Sequence, residues 1–165
     1  MRKIFPLALM TVIIMSSCLK GKNIVCNYND CGFTVPNAEI LAWQNYLAAN
    51  SITAVQHCSG MFYRIEIPGT GQNPVICSHV SVRYKGYFTN GAVFDEATTS
   101  IPIGLSQVIS GWKNGIPLLK TGGLIVLYIP PSLGYGTQDV RDQNGNIVIP
   151  ANSYLIFEVN LDAII

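Results

Sequence analysis

Charge is scarce in this chain. Only 12% of its 165 residues are charged, ten basic and nine acidic, and they lie scattered along the sequence. With no basic stripe or charge block, nothing points to nucleic acid as a partner. Histidine is scarcer still: His57 and His79 are the whole supply, and neither stands beside an obvious nucleophile. A Walker loop, a GxSxG elbow and an HExxH pair are all missing, so nucleotide, serine-hydrolase and zinc-protease chemistry lack their usual signatures. Internal repeats and low-complexity tracts are also absent. Hydrophobic residues are not scarce. They make up 49% of the chain, which argues against disorder. The length suits one domain with a short N-terminal extension, large enough to bury a core without disulfides or metal.

The N-terminus reads as an export signal. Arg2 and Lys3 precede an apolar run from Ile4 to Met15, broken only by Pro6 and Thr11. That run is too short for a mature membrane-spanning helix and has the form of a secretory leader. Met15-Ser16-Ser17-Cys18 resembles the lipobox of bacterial lipoproteins, in which the cysteine thiol is acylated and becomes the mature N-terminus. On this reading residues 1–17 are a lipoprotein signal peptide and Cys18 is the lipidation site. The acyl chains would hold the protein to a membrane surface. The alternative is an ordinary signal cut near Ser17, with Cys18 a bystander. Leu19 is not the aspartate associated with inner-membrane retention, so the expectation is an outer membrane, facing the periplasm.

Four cysteines follow: Cys26, Cys31, Cys58 and Cys77. An even number in an exported chain suggests disulfides. A local Cys26–Cys31 loop with Cys58–Cys77 is one of three connectivities. His57 adjoins Cys58 and His79 lies near Cys77, but neither pair has ordinary zinc-ligand spacing, so no metal is expected.

Periodicity places the elements. Leu19 to Asn29 is a polar tether. Pro36-Asn37 with Glu39 marks a helix start, and Ile40, Trp43 and Leu47 recur at helical spacing to about Ala49. That stripe is expected to pack on the domain. Met61 to Ile67 reads as a strand closed by Pro68-Gly69. Val80, Val82 and Tyr84 alternate with polar neighbours as in a half-buried strand. Asn90-Gly91 signals a tight turn. Gln107 to Trp112 suggests one short helix. Leu124 to Ile129 is a continuous apolar strand, Ser132 to Asn146 a polar loop, and Tyr154 to Leu161 a final strand. The sum is an antiparallel sheet with one short helix inserted.

One acid, Asp95, stands among a set of aromatic and aliphatic residues: Tyr84, Phe94, Val108, Ile109, Trp112, Tyr135 and Phe157. At these positions the sequence resembles the FKBP family of peptidyl-prolyl cis-trans isomerases. The resemblance runs through Val80–Asp95, then Gly104 with Val108-Ile109-Ser110-Gly111-Trp112. It continues through Gly115–Gly123, Ile129-Pro130, Tyr135-Gly136 and Ile149–Phe157. It covers roughly residues 60 to 165 in the family's order. The extension from Cys26 to Ala54 is similar to that of lipid-anchored FKBP proteins of Bacteroidota-like bacteria.

The resemblance implies an α+β fold, a curved antiparallel sheet of about five strands wrapped on a short helix. Residues 18–54 would be the tether and helical extension, and 55–165 the isomerase domain. It implies catalytic roles for Asp95, Tyr135, Phe94 and Tyr84. Substrate would meet Trp112 as floor, with Val108, Ile109, Phe157, Val148 and Ile149 around it and the Ile109 N–H binding a carbonyl. The partners it implies are proline-containing polypeptides and macrolides such as tacrolimus or rapamycin, with no cofactor. A wall position that is usually aromatic in the family is Thr99 here, which implies a more open or more polar side.

Overall fold

The computed structural model describes residues 26–165. Residues 1–17, expected to be a signal peptide, and Cys18, the expected lipidation site, lie outside the described residues. Helix α1 spans Asn37–Ala49. Strands β1 (Val55–Gln56), β2 (Phe62–Ile67), β3 (His79–Phe88) and β4 (Val93–Gly104) follow. A 3-10 turn at Leu105–Gln107 leads to helix α2 (Ser110–Gly115), then to β5 (Gly123–Ile129). Two short strands, β6 (Val140–Arg141) and β7 (Ile147–Ile149), make a hairpin before β8 (Leu155–Ile164). The main sheet has six strands in the order β1-β2-β5-β8-β3-β4, every neighbour antiparallel.

The apolar run of β5 is continuous because both its faces are covered. Ile125, Leu127 and Ile129 belong to the core that also holds Trp112, Ile116 and Leu119 from the α2 side. Val126 and Tyr128 point the other way, into a second core with Trp43 and Leu47 of α1. The strand period of two assigns alternate residues to the two layers, and each layer supplies a helix to bury them. Trp43 is fully buried there, edge-on to Tyr46 and Tyr128 at 5.4 Å and to Tyr154 at 5.5 Å. The helical stripe seen in the sequence is thus a packing face.

Three elements depart from the sequence reading. The short helix begins later than expected, because Val108 and Ile109 are extended (ψ 172° and 153°). Two β-branched residues between the 3-10 turn and α2 fit that backbone better than a helix. Strand β4 was hidden by Pro102, which sits in an edge strand, where proline is tolerated. The polar loop after Ser132 contains β6. It pairs with β7 around a turn in which the Asp142 carboxylate accepts from the backbone N–H groups of Asn144 and Asn146.

The cysteines pair as Cys26–Cys77 and Cys31–Cys58, with Cα separations of 5.7 and 5.4 Å. The local Cys26–Cys31 bridge does not form. A turn at Asn29–Gly32 reverses the chain between those two residues, with Gly32 N–H donating to Asn29 O at 3.1 Å. The segment then runs beside residues 57–60, where Val35 N–H donates to Ser59 O at 2.9 Å. The bridges span 51 and 27 residues and join the extension to the domain twice. Non-reducing peptide mapping is expected to recover linked Cys26/Cys77 and Cys31/Cys58 fragments; a Cys26–Cys31 fragment would contradict this fold. Replacing either pair with serine is expected to cost about 2–4 kcal/mol in denaturant unfolding.

Candidate functional site

Between α2 and the inner face of the sheet lies a hollow of about 290 Å³. Its floor is Trp112, 5% exposed, on the one turn of α2 that faces β5. The helix sits low because its neighbours are glycines. A Cβ on Gly111 would meet Ile129 at 2.5 Å, and one on Gly115 would meet Leu127 at 2.4 Å. The indole of Trp112 is edge-on to Tyr84 at 5.2 Å and to Phe157 at 5.3 Å. Such T-shaped pairs hold ring orientation as well as burying area. Its Nε1–H has no hydrogen-bond partner among the described residues, so the floor is held by packing alone.

Tyr84 comes from β3 and Asp95 from β4. These strands pair with Tyr84 opposite Ala97 and Gly86 opposite Asp95, which brings the two side chains to one rim. The Tyr84 hydroxyl donates to Asp95 Oδ2 at 2.6 Å, a charge-assisted length. Burial, then the bond to Asp95 and its charge, push the Tyr84 hydroxyl well above its ordinary value. Tyr135 reaches the rim from the loop after β5, 41% exposed, and burial with the Asp95 charge raises its hydroxyl too. Both phenols therefore stay protonated donors through neutral and mildly alkaline pH. Val108 and Ile109 complete the helix side, and Phe157 of β8 the sheet side.

Phe94 does not border the hollow. It stands behind Phe157 at 5.4 Å, edge-on, and against Phe88 at 4.9 Å. Gly86 makes room for this stack: a Cβ there would lie 2.7 Å from Phe94 and 2.8 Å from Phe157. Ile149 is also displaced from the expected wall, being 5% exposed and part of the core, while Val148 alternates outward into solvent. Neither borders the hollow.

The sequence reading missed Ile101, Ile103 and Gln107, all of which line it. The signal was parity. Ile101 and Ile103 lie an even number of residues from Asp95 on one strand, but β4 had not been recognised. Thr99 is exposed and does not form the wall. Between the pairs Val82–Ile101 and Tyr84–Ala97, β3 advances two residues and β4 four, so Thr98 to Ser100 bulge from the ladder. Ile101 and Ile103 make that side apolar instead. Arg83, one residue from Tyr84, points to the opposite face and pairs with Asp162 at 2.7 Å. The group Cys31, His57 and Cys58 has ligand atoms within 4.8 Å of one another, but both sulfurs are in the disulfide.

Comparison with known proteins relates the chain to one family. The family model described as FKBP-type peptidyl-prolyl cis-trans isomerase matches residues 71–162. The protein named FKBP-type peptidyl-prolyl cis-trans isomerase FkpA of Buchnera aphidicola is 42% identical over 106 residues, which is 62% of this chain and 42% of that one. Peptidyl-prolyl cis-trans isomerase Mip of Coxiella burnetii is 36% identical over 108 residues, 62% of this chain and 44% of its own. The chain thus spans about two fifths of the length of these curated relatives. Among solved structures, a peptidyl-prolyl cis-trans isomerase of Pseudomonas syringae superposes with a TM-score of 0.66 at 29% identity, over 81% of this chain and 98% of that one. FkpA from Escherichia coli gives 0.65 at 31% identity, over 78% and 58%.

The rim can be tested without any substrate. In a pH titration followed by tyrosine ring carbon shifts, Tyr84 and Tyr135 are expected to ionise above the ordinary tyrosine value of 10.0. Asp95→Ala removes the acceptor and the negative charge, so the Tyr84 transition is expected to move toward its ordinary value of 10.0. An unmoved transition would mean that Asp95 does not hold Tyr84.

Proposed function

The chain belongs to the FKBP-type peptidyl-prolyl cis-trans isomerase family, and on that footing we propose that its hollow accelerates rotation about X-Pro bonds by binding the twisted amide. The observation that carries this reading is the Tyr84–Asp95 pair locked at the rim of an apolar cavity floored by Trp112. Nothing in that set is a nucleophile activated by a base. Rotation needs none. The barrier of about 18–20 kcal/mol comes from amide resonance. The twisted amide has lost that resonance and is less charge-separated than the planar one. An apolar pocket therefore penalises the planar state more, which is differential binding of the transition state. A thousandfold gain needs only about 4 kcal/mol.

In this reading the proline ring rests on Trp112 between Tyr84, Phe157, Val108 and Ile109. Phe94 keeps Phe157 in place from behind. The Tyr135 hydroxyl donates to a substrate carbonyl, and its raised pKa keeps the donor in hand at neutral pH. The Ile109 N–H takes a second carbonyl. Asp95 fixes Tyr84 and orients the amide electrostatically. Ile101 and Ile103 give the side next to the residue before proline an apolar character, which favours aliphatic residues there and accommodates macrolides such as tacrolimus or rapamycin.

The clients proposed are exported proteins. The support is the leader-like run before Cys18 and two disulfides in the folded chain, which suit an oxidising compartment. An acyl anchor on Cys18 would hold the domain on the outer membrane, facing the periplasm.

The test is cis-to-trans exchange of short X-Pro peptides by residues 19–165, with several residues before proline. Tyr135→Phe is expected to lower kcat/KM by about threefold to tenfold and Asp95→Ala by about tenfold, with folding intact. A folded protein that leaves every peptide at its uncatalysed rate would overturn turnover and leave a peptide-binding chaperone.

A further inference from the structure

Helix α1 lies ahead of the residues that match the family, yet it reaches the loop that carries Tyr135. Pro36 occupies its N-cap and supplies no side-chain cap. Glu39, in the first turn, would ordinarily serve the helix's own free N–H groups. Instead its carboxylate is spent across the molecule. Ser132 N–H donates to Glu39 Oε2 at 3.1 Å, and Ser132 Oγ–H donates to Glu39 Oε1 at 2.5 Å. Both oxygens thus hold one residue 93 positions away.

Ser132 is the middle residue of the 3-10 turn Pro131–Leu133. That turn is the base of the Tyr135 loop: Leu133 and Gly134 N–H groups donate to Pro130 O, and Gly136 N–H donates to Pro131 O at 3.0 Å. Beyond Tyr135, Gly136 O accepts from Asn152 N–H at 2.8 Å. The loop is therefore fixed at its far end by Asn152 and at its near end by Glu39. Between them Tyr135 stands at the rim with 41% of its surface exposed. Leu133 anchors the near end in the core at 3% exposure, and Glu39 adds a charge-assisted, two-point tie from a separate element.

We infer that Glu39 is a positioning residue for the isomerase reaction, setting Tyr135 at the rim through its two bonds to Ser132. This rests on the reading of the hollow as a prolyl isomerase site. The extension is then part of the machinery that shapes the pocket. A hydroxyl displaced by a fraction of an ångström loses a transition-state contact.

The test is a double-mutant cycle on the full chain with X-Pro peptides. Glu39→Ala, which removes both bonds, is expected to lower kcat/KM about threefold to fivefold at temperatures well below unfolding, and Ser132→Ala, which keeps the backbone N–H bond, about twofold to threefold with Tm nearly unchanged. Glu39→Gln, which can still accept one bond, is expected to fall between. In the Tyr135→Phe background the same substitutions are expected to have less than about twofold further effect, since the hydroxyl they place is gone. Unchanged kcat/KM in Ser132→Ala and Glu39→Ala would overturn the inference, as would effects that multiply fully with Tyr135→Phe. A wild-type chain without turnover would instead overturn the parent reading. The same cycle read as affinity for a proline peptide would then decide whether Glu39 positions Tyr135.

Discussion

The height of α2 above β5 is the constraint on which the site depends. Gly111 and Gly115 bring the helix backbone onto Ile129 and Leu127, closer than any side chain would permit. Trp112 lies between them and meets both Tyr84 and Phe157 edge-to-face. A higher helix would separate those rings and admit water between floor and wall. Trp112 would then cease to be a closed apolar floor.

The sheet meets this demand by being buried on both faces where it carries the helix. β5 and β8 give alternate residues to the α2 core and to the α1 core. α1 is thus a second layer, and it stiffens the sheet from the side opposite the site. The two disulfides add the preceding segment to the same body. Polar contacts then carry the extension toward the pocket elements: Glu39 to the Tyr135 loop, and the Tyr28 hydroxyl to Asn114 of α2 at 2.7 Å. Asn114 is 2% exposed, and its buried amide oxygen takes its hydrogen bond from the extension.

Sequence alone showed the elements whose pattern is local. The Ile40-Trp43-Leu47 stripe, the Val80-Val82-Tyr84 alternation and the run before Pro130 each declare a period, because one side chain after another answers to the same layer. The set around Asp95 was named through the family resemblance; Tyr84, Asp95, Val108, Ile109, Trp112, Tyr135 and Phe157 of it line the hollow, and Phe94 does not. β4 was not, because Pro102 and the bulged Thr98-Thr99-Ser100 interrupt its period where the strand has only one neighbour. Ile101 and Ile103 were lost with it, and the wall assigned to Thr99 belongs to the isoleucines.

What the residues determined by themselves was the inventory: an antiparallel sheet, one inserted helix, an aromatic set with one acid, and an even number of cysteines after Cys18. The tertiary structure decided everything that depends on distance between segments far apart in sequence. It paired Cys26 with Cys77, placed Phe94 behind the wall, turned Ile149 into the core, and brought Glu39 to Ser132. A period reports which way a side chain faces relative to its own strand or helix. Which partner it meets there is set by the packing of layers, and no local pattern records that.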